Sequence, residues 1–371
     1  MGASLARAAR GLAVALVARE RRVPRPAAPA AFDARVYALS PGNVDFLRSI
    51  DAWQAMPASR LTPVHAMRIF GDDGASTIEF DAYRSGVPAL AWIVEDAMLQ
   101  DALWGALETD VFAPARFESL AFEAERVVLA LDGGRRLAAK LVAGADGAAS
   151  FVRGQAGIAA AERNYGQTAV VANFRCERPH ANVAYQWFQG GPVLALLPLP
   201  ENQVSMVWSL PSEEAGRVAR LEPAALCEEV EAASRRALGA LSLTGAPRSF
   251  ALRRLAARRL AGARLALVGD AAHVIHPLAG QGLNLGLQDA RALAAVLAAR
   301  EPGRDPGDAR LLRRYERVRA EPILAMDTVV DGLFTLFGAR GLAAARVRNA
   351  GLNLAERLPV LKNVLVRRAM S

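Results

Sequence analysis

Between Leu265 and Leu297 the hydrophobic positions change from an unbroken apolar run to a helical repeat within a few residues. Leu265 to Val268 reads as a short buried strand that breaks at Gly269, leaving Asp270 as a single carboxylate at the strand end. From Asn284 onward, Leu285, Leu287, Ala290, Leu293, Ala294 and Leu297 recur at the spacing of one helix face. The intervening segment holds Pro277, Gly280 and Gly282, so bare backbone can approach a flat or charged group there. The pattern therefore aims a helix N-terminus, with its unpaired N–H groups and positive dipole end, at whatever the glycines cradle.

The rest of the chain alternates between the two periods. Arg22 to Ala31 reads as a Pro/Ala linker, and Ser40-Pro41-Gly42-Asn43 opens a helix through Ile50 with Ser40 as its cap. Thr62 to Ala89 reads as irregular strands around a Gly71-Asp72-Asp73-Gly74 turn, and Trp92 to Glu95 as a buried strand leading into a helix at Ala97 to Leu107. Ala113 to Leu141 alternates as two or three strands around Asp132-Gly133-Gly134, and Gln167 to Leu210 is strand-rich. Trp187, Phe188, Leu194, Leu196 and Trp208 either line a pocket or form ordinary core, which is what any half-buried sheet contains. Pro223 to Leu238 is an amphipathic helix packed at that sheet's edge, and Asp308 to Val330 a long charged helix that Pro322 kinks or breaks.

Composition narrows the classes. A chain of 371 residues, 53% hydrophobic and 22% charged, suits two packed domains and leaves little room for disorder. Cys176 and Cys227 lack metal-like spacing and read as free thiols of a reducing compartment, so the cytoplasm is the expected location. The net charge of +8 is concentrated at the ends: six arginines against Glu20 in residues 1–26, and seven Lys or Arg against Glu356 in residues 338–371. These basic residues are not interleaved with stacking aromatics, so nucleic acid is a poor partner; an anionic membrane surface or a partner protein fits better. No apolar run approaches the roughly 18 to 20 residues of a membrane span. The Arg-rich, acid-poor start also has the composition of a targeting segment, and the basic amphipathic tail 347–370 suits either a membrane interface or a place against its own protein. Gly-x-Ser-x-Gly is absent, and His273 and His276 have no evident third ligand, so neither a hydrolase nor a metal centre is expected.

Gly269-Asp270-Ala271-Ala272-His273, then His276-Pro277-Leu278-Ala279-Gly280-Gln281-Gly282-Leu283-Asn284-Leu285-Gly286 and Asp289, resembles the second flavin fingerprint of single-component FAD-dependent aromatic hydroxylases. More narrowly, it resembles their ubiquinone-biosynthesis hydroxylase branch. Phe32 to Ser40 is similar to the family's D-x-R-x-x-A-L-S stretch, which implies that Arg35 lies against the flavin nucleotide. Asp146-Gly147-Ala148-Ala149-Ser150-Phe151-Val152-Arg153 resembles its middle motif, D-G-x-x-S-x-x-R, placed between the flavin and the passing nicotinamide. Gly2-Ala3-Ser4 resembles the last glycine of the first fingerprint, and Gly11 to Ala18 the second strand; the strand that precedes that fingerprint and its first two glycines have no counterpart. Ala18 stands where the family's acidic residue ends that strand, with Glu20 two places later, and Ala97 stands where an arginine is common. Met1 is accordingly expected to be a late start within a longer reading frame.

The resemblance implies an α/β fold: an FAD-binding, Rossmann-like domain of the p-hydroxybenzoate hydroxylase type, an inserted β-rich substrate domain and a C-terminal helical tail. It apportions residues 1–60, 90–158 and 255–330 to the first, 61–89 and 159–254 to the second, and 331–371 to the tail. It implies FAD held by Gly2, Glu20, Arg35, Asp146, Gly269, Asp270, Pro277, Gly280, Gln281, Gly282, Leu283 and Asn284, reduction by NADH or NADPH, O2 as co-substrate and no metal. The implied reaction is hydroxylation of a prenylated phenol in ubiquinone biosynthesis, beside other proteins of that pathway and with peripheral membrane contact through the basic tail. Two other classes remain open at this level. One is another FAD enzyme of the same fold, an epoxidase, halogenase or prenyl reductase; the other is a non-catalytic or weakly flavin-binding member of the same assembly.

Overall fold

The computed structural model describes residues 12–22, 31–73, 76–276 and 280–338. One layer of the fold is built from two parallel ladders. β1 (Ala15–Val17) runs beside β7 (Asp110–Phe112), and β11 (Val142–Gly144) runs beside β19 (Leu265–Leu267), which also pairs antiparallel with β18 (Ala261–Gly262). Among the described residues no strand joins the two ladders. Helices α1 (Pro41–Ser49), α2 (Asp96–Gly105), α6 (Gly282–Ala298) and the first half of α7 (Ala309–Gly338) pack with them around one core, including Leu47, Leu99, Leu265, Leu293, Leu311 and Tyr315. All six apolar positions anticipated along α6 are buried, each leucine worth roughly 2 kcal/mol of transfer free energy.

Three antiparallel strands, β8 (Phe117–Phe122), β9 (Val127–Leu131) and β10 (Arg136–Ala139), form the meander expected around Asp132-Gly133-Gly134. A second small sheet sets β6 (Ala91–Glu95) between β2 (Val36–Leu39) and β3 (Thr62–Val64). β6 passes directly into α2, as its pattern predicts.

The large sheet is antiparallel apart from one pair. Its order is β20 (His273–Val274), β17 (Arg248–Ala257), β12 (Ala160–Cys176), β15 (Gln203–Pro211), β14 (Val193–Leu199), β13 (Val183–Phe188), β4 (Ala66–Phe70) and β5 (Thr77–Asp81), with β16 (Leu241–Leu243) also on β12. β12 begins at Ala160, earlier than the pattern suggests, because a bulge between Asn164 and Thr168 carries the strand past Gly166, whose φ of +67° suits glycine. Only one face of this sheet is covered by α4 (Ser212–Val218) and α5 (Pro223–Ala233), through Val218, Leu226 and Val230. The other face turns toward the layer of parallel ladders. Cys176 and Cys227 are buried and free, and burial pushes the Cys176 thiol up to about 12.

Two local expectations are corrected. Ser40 precedes α1, but its Oγ does not cap a helix N–H; it accepts from the Asn43 amide at 3.0 Å. Pro322 does not break α7, which runs on as one helix to Gly338. Its second half is clamped to the large sheet by ion pairs from Arg254 to Asp327 (2.7 Å) and from Arg163 to Asp331 (3.1 Å).

Candidate active site

The site starts where β19 ends. Gly269 adopts φ +60°, and the chain turns so sharply that a Cβ on Gly286 of α6 would lie 3.3 Å from the Gly269 Cα. The turn is held by one buried carboxylate. Asp289 accepts the Gly269 N–H at 3.0 Å, bonds His273 Nε2 at 2.6 Å through the same oxygen, and accepts Arg319 Nε at 2.6 Å through the other. Burial alone would raise the Asp289 carboxyl, but the His273 hydrogen bond and the charges of His273 and Arg319 outweigh it and hold the group below its usual range. Arg319 also reaches the Leu285 carbonyl, and the Tyr315 hydroxyl donates to the Leu267 carbonyl at 2.7 Å. Strand, turn, α6 and α7 are thereby locked together, and Asp270 is left facing an open cavity with no protein partner among the described residues.

The N-terminus of α6 forms the next wall. Gly280 has φ +61°, and Gly280, Gln281, Gly282 and Leu283 all border the cavity. A Cβ on Gly282 would meet nothing within 4 Å, so this backbone stands clear of protein, and the first-turn N–H groups have no intrahelical acceptor. The Asn284 side chain turns the other way. Its Nδ2 donates to the Ala38 carbonyl at 2.8 Å, while its Oδ1 accepts from the Ser40 N–H at 3.0 Å and the Asn43 amide at 2.9 Å. It rivets α6 to β2 and α1 and does not reach the cavity.

Opposite stands Arg35. Asp33 accepts the Arg35 N–H at 3.1 Å and the Ala97 N–H at 3.3 Å, and the Asp33 N–H donates to Glu95 at 2.6 Å. Glu95 is buried and bidentate with Arg60, both contacts 2.7 Å. This chain of bonds fixes the segment so that the Arg35 guanidinium projects over the rings of Tyr37 and Phe250, about 5.5 Å from each. Tyr37, which the sequence did not single out, also borders the cavity and donates to Asp96 at 3.1 Å. Burial pushes its phenol well above the ordinary value against the pull of Arg35, with Asp96 adding to the rise, so it stays neutral.

Asp146 is likewise committed to protein: its carboxylate accepts from Ser150 Oγ at 2.5 Å and the Val152 N–H at 3.1 Å, ordering the start of the short helix α3 (Phe151–Gln155). Arg153, buried, bonds the carbonyls of Ala148 and Ala271 at 2.9 Å each, tying the middle motif to the Gly269 turn. The neighbours Ala145, Gly147 and Ala148 face the cavity instead. Glu20 is exposed beyond the end of β1 and is not part of the cavity wall. Gly2 and Pro277 lie outside the described residues.

The cavity these walls enclose measures about 1280 Å³. Its remaining wall is the uncovered face of the large sheet: Ala169 and Val171 of β12, Ala184 and Gln186 of β13, Ala195 and Leu197 of β14, and Val207 and Ser209 of β15. Trp187, Leu194, Leu196 and Trp208 belong to the opposite face and form core beneath α4 and α5, the second of the two roles open to them; Phe188 is buried and does not line the cavity. Pro322, Ala325, Met326 and Val329 of α7 extend the apolar wall outward. His276 is buried against Tyr165 and Phe334, and burial lowers it to about 4, which leaves it neutral at pH 7. Among the described residues no cluster of His, Cys, Asp and Glu could hold a metal.

The volume, the helix end, the bare glycines, the Asp270 carboxylate and the Arg35 guanidinium suit a flat, anionic dinucleotide with space beside it for a ring. A parallel nucleotide-binding layer joined to a half-covered antiparallel sheet defines the class of flavin-dependent monooxygenases. A family model described as FAD binding domain matches residues 35–327. The 3-demethoxyubiquinol 3-hydroxylase of Escherichia coli is 34% identical over 99% of this chain and 94% of its own. Ubiquinone hydroxylase UbiL of Rhodospirillum rubrum is 33% identical over 100% and 87%. Among solved structures, p-nitrophenol 4-monooxygenase PnpA from Pseudomonas putida shares the fold with a TM-score of 0.77 at 17% identity, over 100% of this chain and 94% of its own. PqsL from Pseudomonas aeruginosa does so with 0.76 at 22%, over 94% and 95%. The chain belongs to the FAD binding domain family and, within it, to the ubiquinone-biosynthesis hydroxylases.

Proposed function

We propose that this protein hydroxylates the aromatic ring of a prenylated phenol in ubiquinone biosynthesis. The observation that carries the reading is the meeting, in one apolar cavity, of the Asp270 carboxylate, the exposed N-terminus of α6 and an uncovered sheet face rich in alanine. FAD bound there would supply the redox chemistry, passing electrons from NADH or NADPH to O2 for insertion into the ring. The chain's own part is positional. Asp270 accepts hydrogen bonds from a polyol chain, Arg35 faces the nucleotide's negative charge, and the first N–H groups of α6 favour charge on the ring system. The apolar sheet and the α7 wall exclude water and give a hydrocarbon chain a surface to follow. Residues 35, 269, 270 and 280–283 are the cofactor contacts in this reading, with Asp146 and Asn284 as the residues that hold them in place.

Purified protein should carry flavin, and a prenylated phenol should stimulate its NAD(P)H consumption and return as a hydroxylated product. Asp270→Ala is expected to weaken FAD binding by at least tenfold, read as the flavin-to-protein ratio and by titration of the apoprotein. Flavin content equal to that of the parent protein would remove Asp270 from the site.

The protein is proposed to work in the cytoplasm, peripherally at the inner face of the membrane and beside other proteins of the pathway. Among the described residues no helix is long and apolar enough to cross a membrane. Support for a surface role comes from the seven basic residues of 338–371 and from a substrate that partitions into lipid. Sedimentation with anionic vesicles should be strong at low salt and weak at 0.5 M salt; equal binding to neutral vesicles would sink the electrostatic part of the reading.

A further inference from the structure

We infer that Gln186 is the residue that recognises the oxygenated ring of the substrate, with Ser209 as a second contact. The inference rests on the aromatic-hydroxylase reading above and adds the group that reads the ring. Both side chains are at least nine-tenths buried, both line the cavity, and neither makes a hydrogen bond to any described residue. The polar atoms of both open onto the cavity, where a primary amide has two donors and an acceptor to offer a ligand. Along β13, β14 and β15 the other residues lining the cavity, Ala184, Val193, Ala195, Leu197 and Val207, are apolar, so Gln186 and Ser209 are the uncharged polar groups that these three strands present to a ligand; the exposed Arg253 of β17 also lines the cavity.

Register places them. Gln186 pairs with Ala195, which pairs with Val207; Ser209 pairs with Val193, one row along and two strands across. With strands about 4.8 Å apart and residues about 3.4 Å apart, their Cα atoms lie roughly 12 Å from each other on the same face. The amide stands among Ala184, Ala195 and Leu197, so small side chains leave space above the sheet where Gln186 reaches upward. The flanking residues Tyr185 and Trp187 belong to the opposite face, in a ring stack with Phe70. Backbone parity therefore directs Gln186 into the cavity. A phenol fits this arrangement: it is flat enough to lie over alanines, apolar enough for the walls, and bears an oxygen that an amide can meet as donor or acceptor.

The test uses the FAD-loaded protein with 2-geranylphenol and, as a probe without ring oxygen, geranylbenzene. Binding is read from the change each makes in the flavin spectrum, and turnover from phenol-stimulated NAD(P)H consumption. Gln186→Leu is expected to raise the Kd and KM for the phenol about tenfold, the loss of one buried hydrogen bond, and to erase the preference for phenol over the oxygen-free probe. Ser209→Ala should raise the KM about threefold. Gln186→Met, similar in volume and unable to hydrogen bond strongly, repeats the test if the leucine variant folds poorly, and Trp187→Phe on the opposite face should leave the preference unchanged. A Gln186 variant that still prefers the phenol as the parent does overturns the inference while the hydroxylase reading stands. A parent protein that shows neither spectral response nor phenol-stimulated turnover overturns both.

Discussion

Asp289→Ala is expected to cost the fold roughly 3–5 kcal/mol and to release the flavin. The carboxylate is fully buried and satisfies three donors at once: the Gly269 N–H, His273 Nε2 and Arg319 Nε. Removing it strands a buried guanidinium without its counter-charge, and breaking a buried pair from one side is far more damaging than exchanging the whole pair for apolar groups. The turn that presents Asp270 loses its anchor in the same step. Denaturant titration should show the stability loss, and the flavin-to-protein ratio should fall with it. Arg319→Met alone, which leaves the Gly269 and His273 contacts, should retain more flavin than Asp289→Ala. The pH dependence has a definite sign. A carboxyl whose folded pKa lies below its unfolded value, about 4, contributes stability that is complete above that value and is lost as pH falls through the lower folded one. The parent should therefore lose this contribution only under strongly acidic conditions, and the variant's deficit should shrink there. A variant as stable as the parent at neutral pH would show that the network does not hold the turn.

Gly286→Val is the second large effect. A Cβ at this position already stands 3.3 Å from the Gly269 Cα, a backbone atom that cannot swing aside, and valine adds two methyl groups behind it. Overpacking of this kind costs roughly 1–3 kcal/mol. The larger consequence is geometric: α6 must back away from the β19 turn, and the distance between Asp270 and the helix N-terminus is set by that approach. Flavin retention should fall several-fold while far-ultraviolet circular dichroism stays close to that of the parent. Gly286→Ala should lie between the two. Full flavin content in the valine variant would mean that the close packing of turn on helix is not what shapes the cradle.

The site was legible wherever its geometry is local. Asp270, Gly280, Gln281, Gly282 and Leu283 all reach the cavity, because a strand that breaks at glycine and a helix that starts a dozen residues later leave the chain few ways to connect. Arg35 reaches it as well, although the bonds that aim it come from Glu95 and the start of α2, some sixty residues away. Asn284 and Asp146 sit inside matching motifs and yet spend their side chains on protein. The partners that claim Asn284 are Ala38, Ser40 and Asn43, about 240 residues distant, and nothing in the neighbourhood of a motif reports on such partners. Gln186 and Ser209 passed unnoticed for a related reason. The alternation along β13 and β15 announces two faces, and its bulky aromatics draw attention to the wrong one for ligand contact. Which face lies open depends on where α4 and α5 dock, and they cover the side that bears Trp187 and Trp208.

The order of residues alone gave most of the elements and the strand-turn-helix cradle, because backbone conformation, helix dipoles and missing Cβ atoms act over a few neighbouring residues, while the resemblance of its motifs gave FAD. The folded chain decided what fills the rest: the face of the large sheet that borders the cavity, the motif residues that turn inward, and the buried carboxylate that binds turn to helix. Those outcomes depend on burial and on side-chain partners brought in from other elements, from Arg319 of α7 for Asp289 to Ala38, Ser40 and Asn43 for Asn284, which meet only once the layers have packed.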